Sequence, residues 1–173
     1  MQHRGPDDSG FSHFNTPNGL YSSMLFRRLS VIDLDRRSNQ PMEADGVSLA
    51  MNGEIYNYKE VRQELVRRGR TFRTASDTEV LLQGYLEHGW KILDQLEGMW
   101  ALALYDKRLE VLSLSRDRFG EKPLYMTRDD YNFLYASEVA QLQDICLRRL
   151  QPNIEQVQRF LTLGYKSLYK TSE

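Results

Sequence analysis

The chain has 173 residues, 40% hydrophobic and 27% charged, with a formal net charge of -1. This is the composition of an ordinary globular protein, most simply one domain, with no global field to recruit nucleic acid or an anionic membrane surface. No apolar run approaches the roughly 18 residues of a spanning helix, no signal peptide opens the chain, and the single Cys excludes a disulfide framework and a thiolate zinc site.

The opening, Met1-Gln2-His3-Arg4-Gly5-Pro6-Asp7-Asp8-Ser9-Gly10, crowds Gly, Pro and Asp together and reads as a structured loop. A strand is predicted over 20–26, followed by Arg27-Arg28-Leu29-Ser30-Val31-Ile32-Asp33 with β-branched residues near its end. Arg28 inside such a strand is costly to bury unless a carboxylate or a ligand meets it; otherwise it is a cation on the wet face of a sheet.

Residues 34–43 read as a polar loop, and Asp45-Gly46 as a turn feeding Val47-Ser48-Leu49-Ala50, a buried strand. Met51-Asn52-Gly53-Glu54-Ile55-Tyr56-Asn57 then separates that strand from a helix starting at Tyr58-Lys59-Glu60-Val61. A Gly between an amide side chain and a carboxylate at a strand-to-helix junction sets an open backbone N–H beside two polar side chains. A developing oxyanion needs such surroundings. The same residues also suit a plain turn.

Asn57 and Glu60 have the spacing of a capping box, Val61 and Leu65 share one helical face, and Gly69 ends the helix. A short strand is predicted over 71–74. A second capping-box pattern, Ser76-Asp77-Thr78-Glu79, opens a helix that Gly89 closes. Asp77 thus falls in a first turn, where the helix dipole favours a carboxylate by about 0.3–1 kcal/mol without any ligand. Residues 90–96 read as a short helical segment, 99–105 as a near-continuous apolar strand, 109–115 as its partner, and 116–123 as a charged loop. Residues 124–127 and 133–136 form a hairpin around Asp129-Asp130. Helices follow over 139–145 and, after Pro152, along Ile154, Val157, Phe160 and Leu161. Cys146 reads as a small core residue, and His3, His13 and His88 are scattered. Hairpin-length links between the later strands make the sheet antiparallel and the class α+β, with helices covering sheet faces.

Taken in order, several segments resemble one family. They are His3-Arg4-Gly5-Pro6-Asp7, Arg28-Leu29-Ser30-Val31-Ile32-Asp33, Asn52-Gly53-Glu54-Ile55-Tyr56-Asn57 and Ser76-Asp77-Thr78-Glu79-Val80. Further along come the 98–106 segment, Arg116-Asp117-Arg118-Phe119-Gly120-Glu121-Lys122-Pro123-Leu124-Tyr125 and Ala136-Ser137-Glu138. Together they resemble the glutaminase domain of the glutamine-dependent asparagine synthetases, which are class II glutamine amidotransferases.

The resemblance implies an αββα four-layer sandwich of the N-terminal-nucleophile hydrolase type, here lacking its first strand and helix. It implies an amidotransferase domain over 1–150 and, over 151–173, the start of a helical link to an ATP-dependent synthetase domain that this sequence lacks. Asn52 and the Gly53 N–H would form an oxyanion hole, and Arg28 would hold the α-carboxylate of glutamine as a fork. Glu54 and Asp77 would face the α-ammonium, and the backbone of Leu29, Ser30, Val31 and Ile32 would line the pocket. His3, Arg4 and Asp7 are left as structural. No metal and no cofactor are expected in this chain, since ATP and Mg would serve only the synthetase domain. The resemblance implies a cytoplasmic protein with glutamine and that domain as partners, no nucleic acid or membrane, and room for a homodimer.

The chain also departs from the family, whose nucleophile is a Cys exposed when the initiator Met is removed, with its own α-amine as base. Here the start reads Met1-Gln2. One expectation is that Met1 is internal to a longer protein whose two ends are missing. The other is a natural remnant that binds glutamine, or only a protein partner, without hydrolysis. On either, these residues alone are expected to lack glutaminase activity, and loss of a core strand to leave unpaired backbone and exposed apolar surface.

Overall fold

A computed structural model of the chain describes residues 5–15, 19, 21–28, 36–146 and 151–164. Two long strands organise it. β4 (Val47–Ile55) and β5 (Gly98–Asp106) pair antiparallel in unbroken register from Val47 opposite Asp106 to Ile55 opposite Gly98. β3 (Met42–Ala44) adds to the outer edge of β4, and β6 (Val111–Arg116) to that of β5. β5 is apolar on both faces because both faces are covered, which is why it reads as a run rather than an alternation.

On one face of this sheet lie α1 (Tyr58–Arg67) and α2 (Asp77–His88), followed by a 3-10 segment over Gly89–Gln95. Val61 and Leu65 of α1, and Val80, Leu81, Leu82 and Tyr85 of α2, pack with Leu49, Met51, Ile55, Leu102 and Leu104. Each large aliphatic buried there contributes about 1.5–3 kcal/mol of transfer free energy. The other face carries two hairpins. β1 (Asp8–Asn15) pairs with β2 (Tyr21–Arg28), and β7 (Tyr125–Arg128) with β8 (Phe133–Ala136). Met24 and Phe14 from the first hairpin and Tyr135 from the second meet Ala50, Ala103, Tyr105, Leu112 and Leu114 of the central sheet. Among the described residues no strand pairing joins the two hairpins. α3 (Val139–Ile145) packs on β7 and β8, and α4 (Ile154–Leu163) leaves Ile154, Val157, Phe160 and Leu161 exposed. No helix among the described residues is long and apolar enough to cross a membrane.

The structure is α+β with antiparallel sheets, as expected, but several local expectations change. Asn52 and Gly53 lie inside β4 rather than in a turn, because β5 supplies ladder partners as far as Gly98; the turn is Tyr56-Asn57. The opening is not all loop, since β1 starts at Asp8. No strand forms over 71–74. The N–H groups of Arg73 and Thr74 go instead to the Glu79 carboxylate, at 2.8 and 2.7 Å. Asn57 makes no capping bond; its amide clamps the Gln95 carbonyl and the Glu97 N–H instead. Ser76 does cap α2, accepting the Glu79 N–H at 3.1 Å. Cys146 is half-buried rather than in the core. His3, Arg4, the 29–33 part of the expected strand and residues 165–173 of the expected link lie outside the described residues.

Candidate functional site

In an unbulged antiparallel ladder alternate N–H groups point to the same edge. The N–H groups of Met51, Gly53 and Ile55 therefore all point away from β5. β3 is too short to meet them, because its ladder stops at Met42 opposite Leu49. Side chains take over at two of the three. The Met51 N–H donates to Gln40 Oε1 at 2.6 Å, and the Ile55 N–H to Asp77 Oδ2 at 3.0 Å. The Gly53 N–H between them has no acceptor among the described residues. A side chain cannot be tolerated at that position: a Cβ on Gly53 would collide with the Met99 carbonyl and lie 2.7 Å from Trp100 Cα.

That amide opens on a cleft of about 800 Å³. Its floor is the face of β4 and β5 bearing Ala50, Asn52, Ala101 and Ala103, and its flanks are β2 on one side and β8 with α3 on the other. Arg28, Asn52, Gly53, Glu54 and Asp77 all line it, although they come from β2, β4 and the first turn of α2. Leu29, Ser30, Val31 and Ile32 lie outside the described residues.

Arg28 and Asp77 are each held in place. Arg28 ends β2, is 7% exposed, and donates from Nη1 to Asn39 Oδ1 at 2.6 Å; Asn39 in turn donates to Asp8 Oδ2 at 2.5 Å. Asp77, 5% exposed, accepts the Ile55 N–H on one oxygen and the Thr78 N–H on the other. Burial pushes its carboxyl above the usual 3.8, against the pull of those two amides, and the neighbouring Glu54 charge adds to the rise. The approach to α2 is fixed by Glu79, whose buried carboxylate also takes the Thr74 hydroxyl at 2.6 Å.

The cleft thus sets a guanidinium, two carboxylates, a carboxamide and an open backbone N–H around one hollow. Those groups match a zwitterion carrying a polar amide. No cluster of His, Cys, Asp or Glu suited to a metal ion occurs among the described residues. Sequence reading passed over Gln40, Asn39 and Asp8. Their role depends on contacts 11 to 31 residues away, and no local pattern marks those contacts.

A sequence profile described as a glutamine amidotransferase domain matches residues 1–172. The chain belongs to that family. This amidotransferase domain is of class II and is related to the glutamine-dependent asparagine synthetases. It is 38% identical over 165 residues to asparagine synthetase [glutamine-hydrolyzing] 1 of Bacillus subtilis strain 168, covering 94% of this chain and 25% of the relative. With asparagine synthetase B [glutamine-hydrolyzing] of Escherichia coli K12 the identity is 41% over 149 residues, covering 84% and 26%. The domain therefore spans about a quarter of the length of these relatives. The fold is similar to that of the Bacillus subtilis glutamine phosphoribosylpyrophosphate amidotransferase solved with ADP and GMP. There the TM-score is 0.60 at 24% identity, over 70% of this chain and 28% of that one. The amidotransferase domain accordingly has an N-terminal-nucleophile type of fold.

Proposed function

We propose that the cleft binds glutamine, and that the domain is the glutamine-handling part of an amidotransferase of the asparagine synthetase type. One observation carries this reading: the Gly53 N–H, with no acceptor among the described residues and bracketed by two satisfied amides, lies on the same hollow as Asn52, Arg28 and Asp77. Arg28 takes the α-carboxylate, while Asp77 and Glu54 take the α-ammonium. The side-chain carbonyl then points at the Gly53 N–H and the Asn52 amide. When a nucleophile attacks that carbonyl its oxygen becomes negative, and each preorganised donor is worth about 2.7–4 kcal/mol to the transition state.

In this reading the nucleophile is a thiolate, and these 173 residues do not supply it, since their single Cys, Cys146, does not line the cleft. A further strand laid between β2 and β8 would bring the thiol to Asn52 and complete the four-layer αββα sandwich. The chain by itself then binds glutamine without cleaving it. α4, with its exposed apolar side chains, begins the link to a synthetase domain, where ATP and magnesium would drive amidation of the acceptor. This reading needs no cofactor in the domain itself and puts the reaction in the cytoplasm.

Calorimetric titration tests the reading. L-Glutamine should give saturable heat with the wild type, and Arg28→Ala should weaken it roughly tenfold or more, about 1.4 kcal/mol. A wild type that gives no heat with millimolar L-glutamine overturns it.

A further inference from the structure

We infer that Gln40 is a positioning residue for the Gly53 amide, an inference that rests on the glutamine reading above. The register of β3 on β4 pairs Met42 with Leu49 and Ala44 with Val47. Continued backwards, it would set residue 40 opposite Met51 and Ser38 opposite Gly53, and the Ser38 carbonyl would then take the Gly53 N–H. The chain does otherwise. The ladder ends at Met42, and the Gln40 side chain, not its backbone, meets the Met51 N–H.

Its two ends do different work. Oε1 accepts the Met51 N–H at 2.6 Å, and Nε2 donates to Thr78 Oγ1 at 3.1 Å. Thr78 adjoins Asp77, which holds the Ile55 N–H. One carboxamide therefore ties the edge of β4 to the first turn of α2 and keeps β3 from zipping over Gly53. Gln40 lines the cleft, and its backbone carbonyl lies so near Gly10 of β1 that any Cβ there would overlap it, which fixes the point from which the side chain reaches. The carboxamide orientation is set by its partners, because Met51 offers only a donor.

The test uses the 15N-labelled chain, with L-glutamine as the probe. In the wild type, glutamine should shift the Gly53 amide resonance, and the Met51 amide should be protected from exchange. Gln40→Met should expose the Met51 amide, abolish the Gly53 shift and raise the glutamine Kd tenfold or more. Gln40→Glu keeps an acceptor and should restore protection at Met51. Thr78→Val removes only the hydroxyl that orients Nε2 and should raise the Kd about threefold; it carries the test if Gln40→Met does not fold. Val61→Ala, a core change in α1 far from the cleft, should lower Tm while leaving Kd and the Gly53 shift unchanged.

Gln40→Met or Thr78→Val binding like the wild type with the same Gly53 shift overturns the role of Gln40 alone. A wild type whose Gly53 resonance ignores glutamine overturns the glutamine reading and the role of Gln40 with it.

Discussion

The Asp77 carboxylate accepts the backbone N–H of Ile55, 22 residues away in sequence, across a 3.0 Å hydrogen bond. The same side chain that faces the cleft therefore also ends β4. Asp77→Ala leaves that buried amide without an acceptor. The expected outcome is local: hydrogen exchange at Ile55 should accelerate by the equivalent of about 1–3 kcal/mol, while α1 and the end of β5 near Asp106 stay protected.

The same carboxylate makes ligand binding depend on pH. Burial raises its pKa above the ordinary 3.8, so the folded state keeps the proton longer than the unfolded chain. Its contribution to stability without ligand therefore declines as pH rises from 3.8 through the raised value. Affinity runs the opposite way, because only the carboxylate attracts an ammonium. Calorimetric titrations across a pH series should show glutamine binding tighten as Asp77 ionises. In Asp77→Asn that step should be missing, and binding should be weak throughout.

Gly53→Ala should destabilise the domain by about 3 kcal/mol, the upper end of the cost of overpacking. Both groups the new methyl would meet, the Met99 carbonyl and the Trp100 Cα, are backbone of β5, so neither can swing aside. Urea unfolding measures the loss. Ala101→Gly, on the neighbouring strand, tests whether relief of crowding there recovers any of it; none is expected, because the collision is with Met99 and Trp100.

At the far end of the central sheet, Arg108 grips Asp106 through Nε at 2.9 Å and Nη2 at 2.6 Å, with the Tyr85 hydroxyl at 3.1 Å. The Arg108 bonds hold the Asp106 carboxyl down at about 2, below its ordinary 3.8. The folded state thus binds fewer protons than the unfolded chain over that interval. This contribution is whole above 3.8 and lost as pH falls through about 2. Asp106→Asn should cost about 1.5–3 kcal/mol at neutral pH and flatten the acid limb of the stability profile between those two values.

The sequence makes the helices and β5 legible because their apolar periodicity matches their surroundings. Patterns of short range fare less evenly. Ser76-x-x-Glu79 and Asn57-x-x-Glu60 look alike, yet only Ser76 caps its helix. Asn57 is drawn away by Gln95 and Glu97, some forty residues on, and Glu79 by the Arg73 and Thr74 amides. Asn52-Gly53 has the composition of a turn but is held straight by β5. β1 goes unseen because its exposed positions include Phe11 and His13 while Gly10 and Ser12 are half-buried, so apolar and polar residues do not separate by face. The gathering of Arg28, Asn52, Gly53, Glu54 and Asp77 at one cleft follows from the resemblance. The amides that Gln40 and Asp77 satisfy around Gly53 do not, since pairing across a sheet edge leaves no periodic trace.

β3 spans only three residues. That brevity acts as a stop: one more rung of ladder would reach Met51, and the next would silence Gly53. Grafting a longer, proline-free β3 onto this scaffold should produce a firmer sheet with a blind cleft, a domain made more robust by the very change that disarms it.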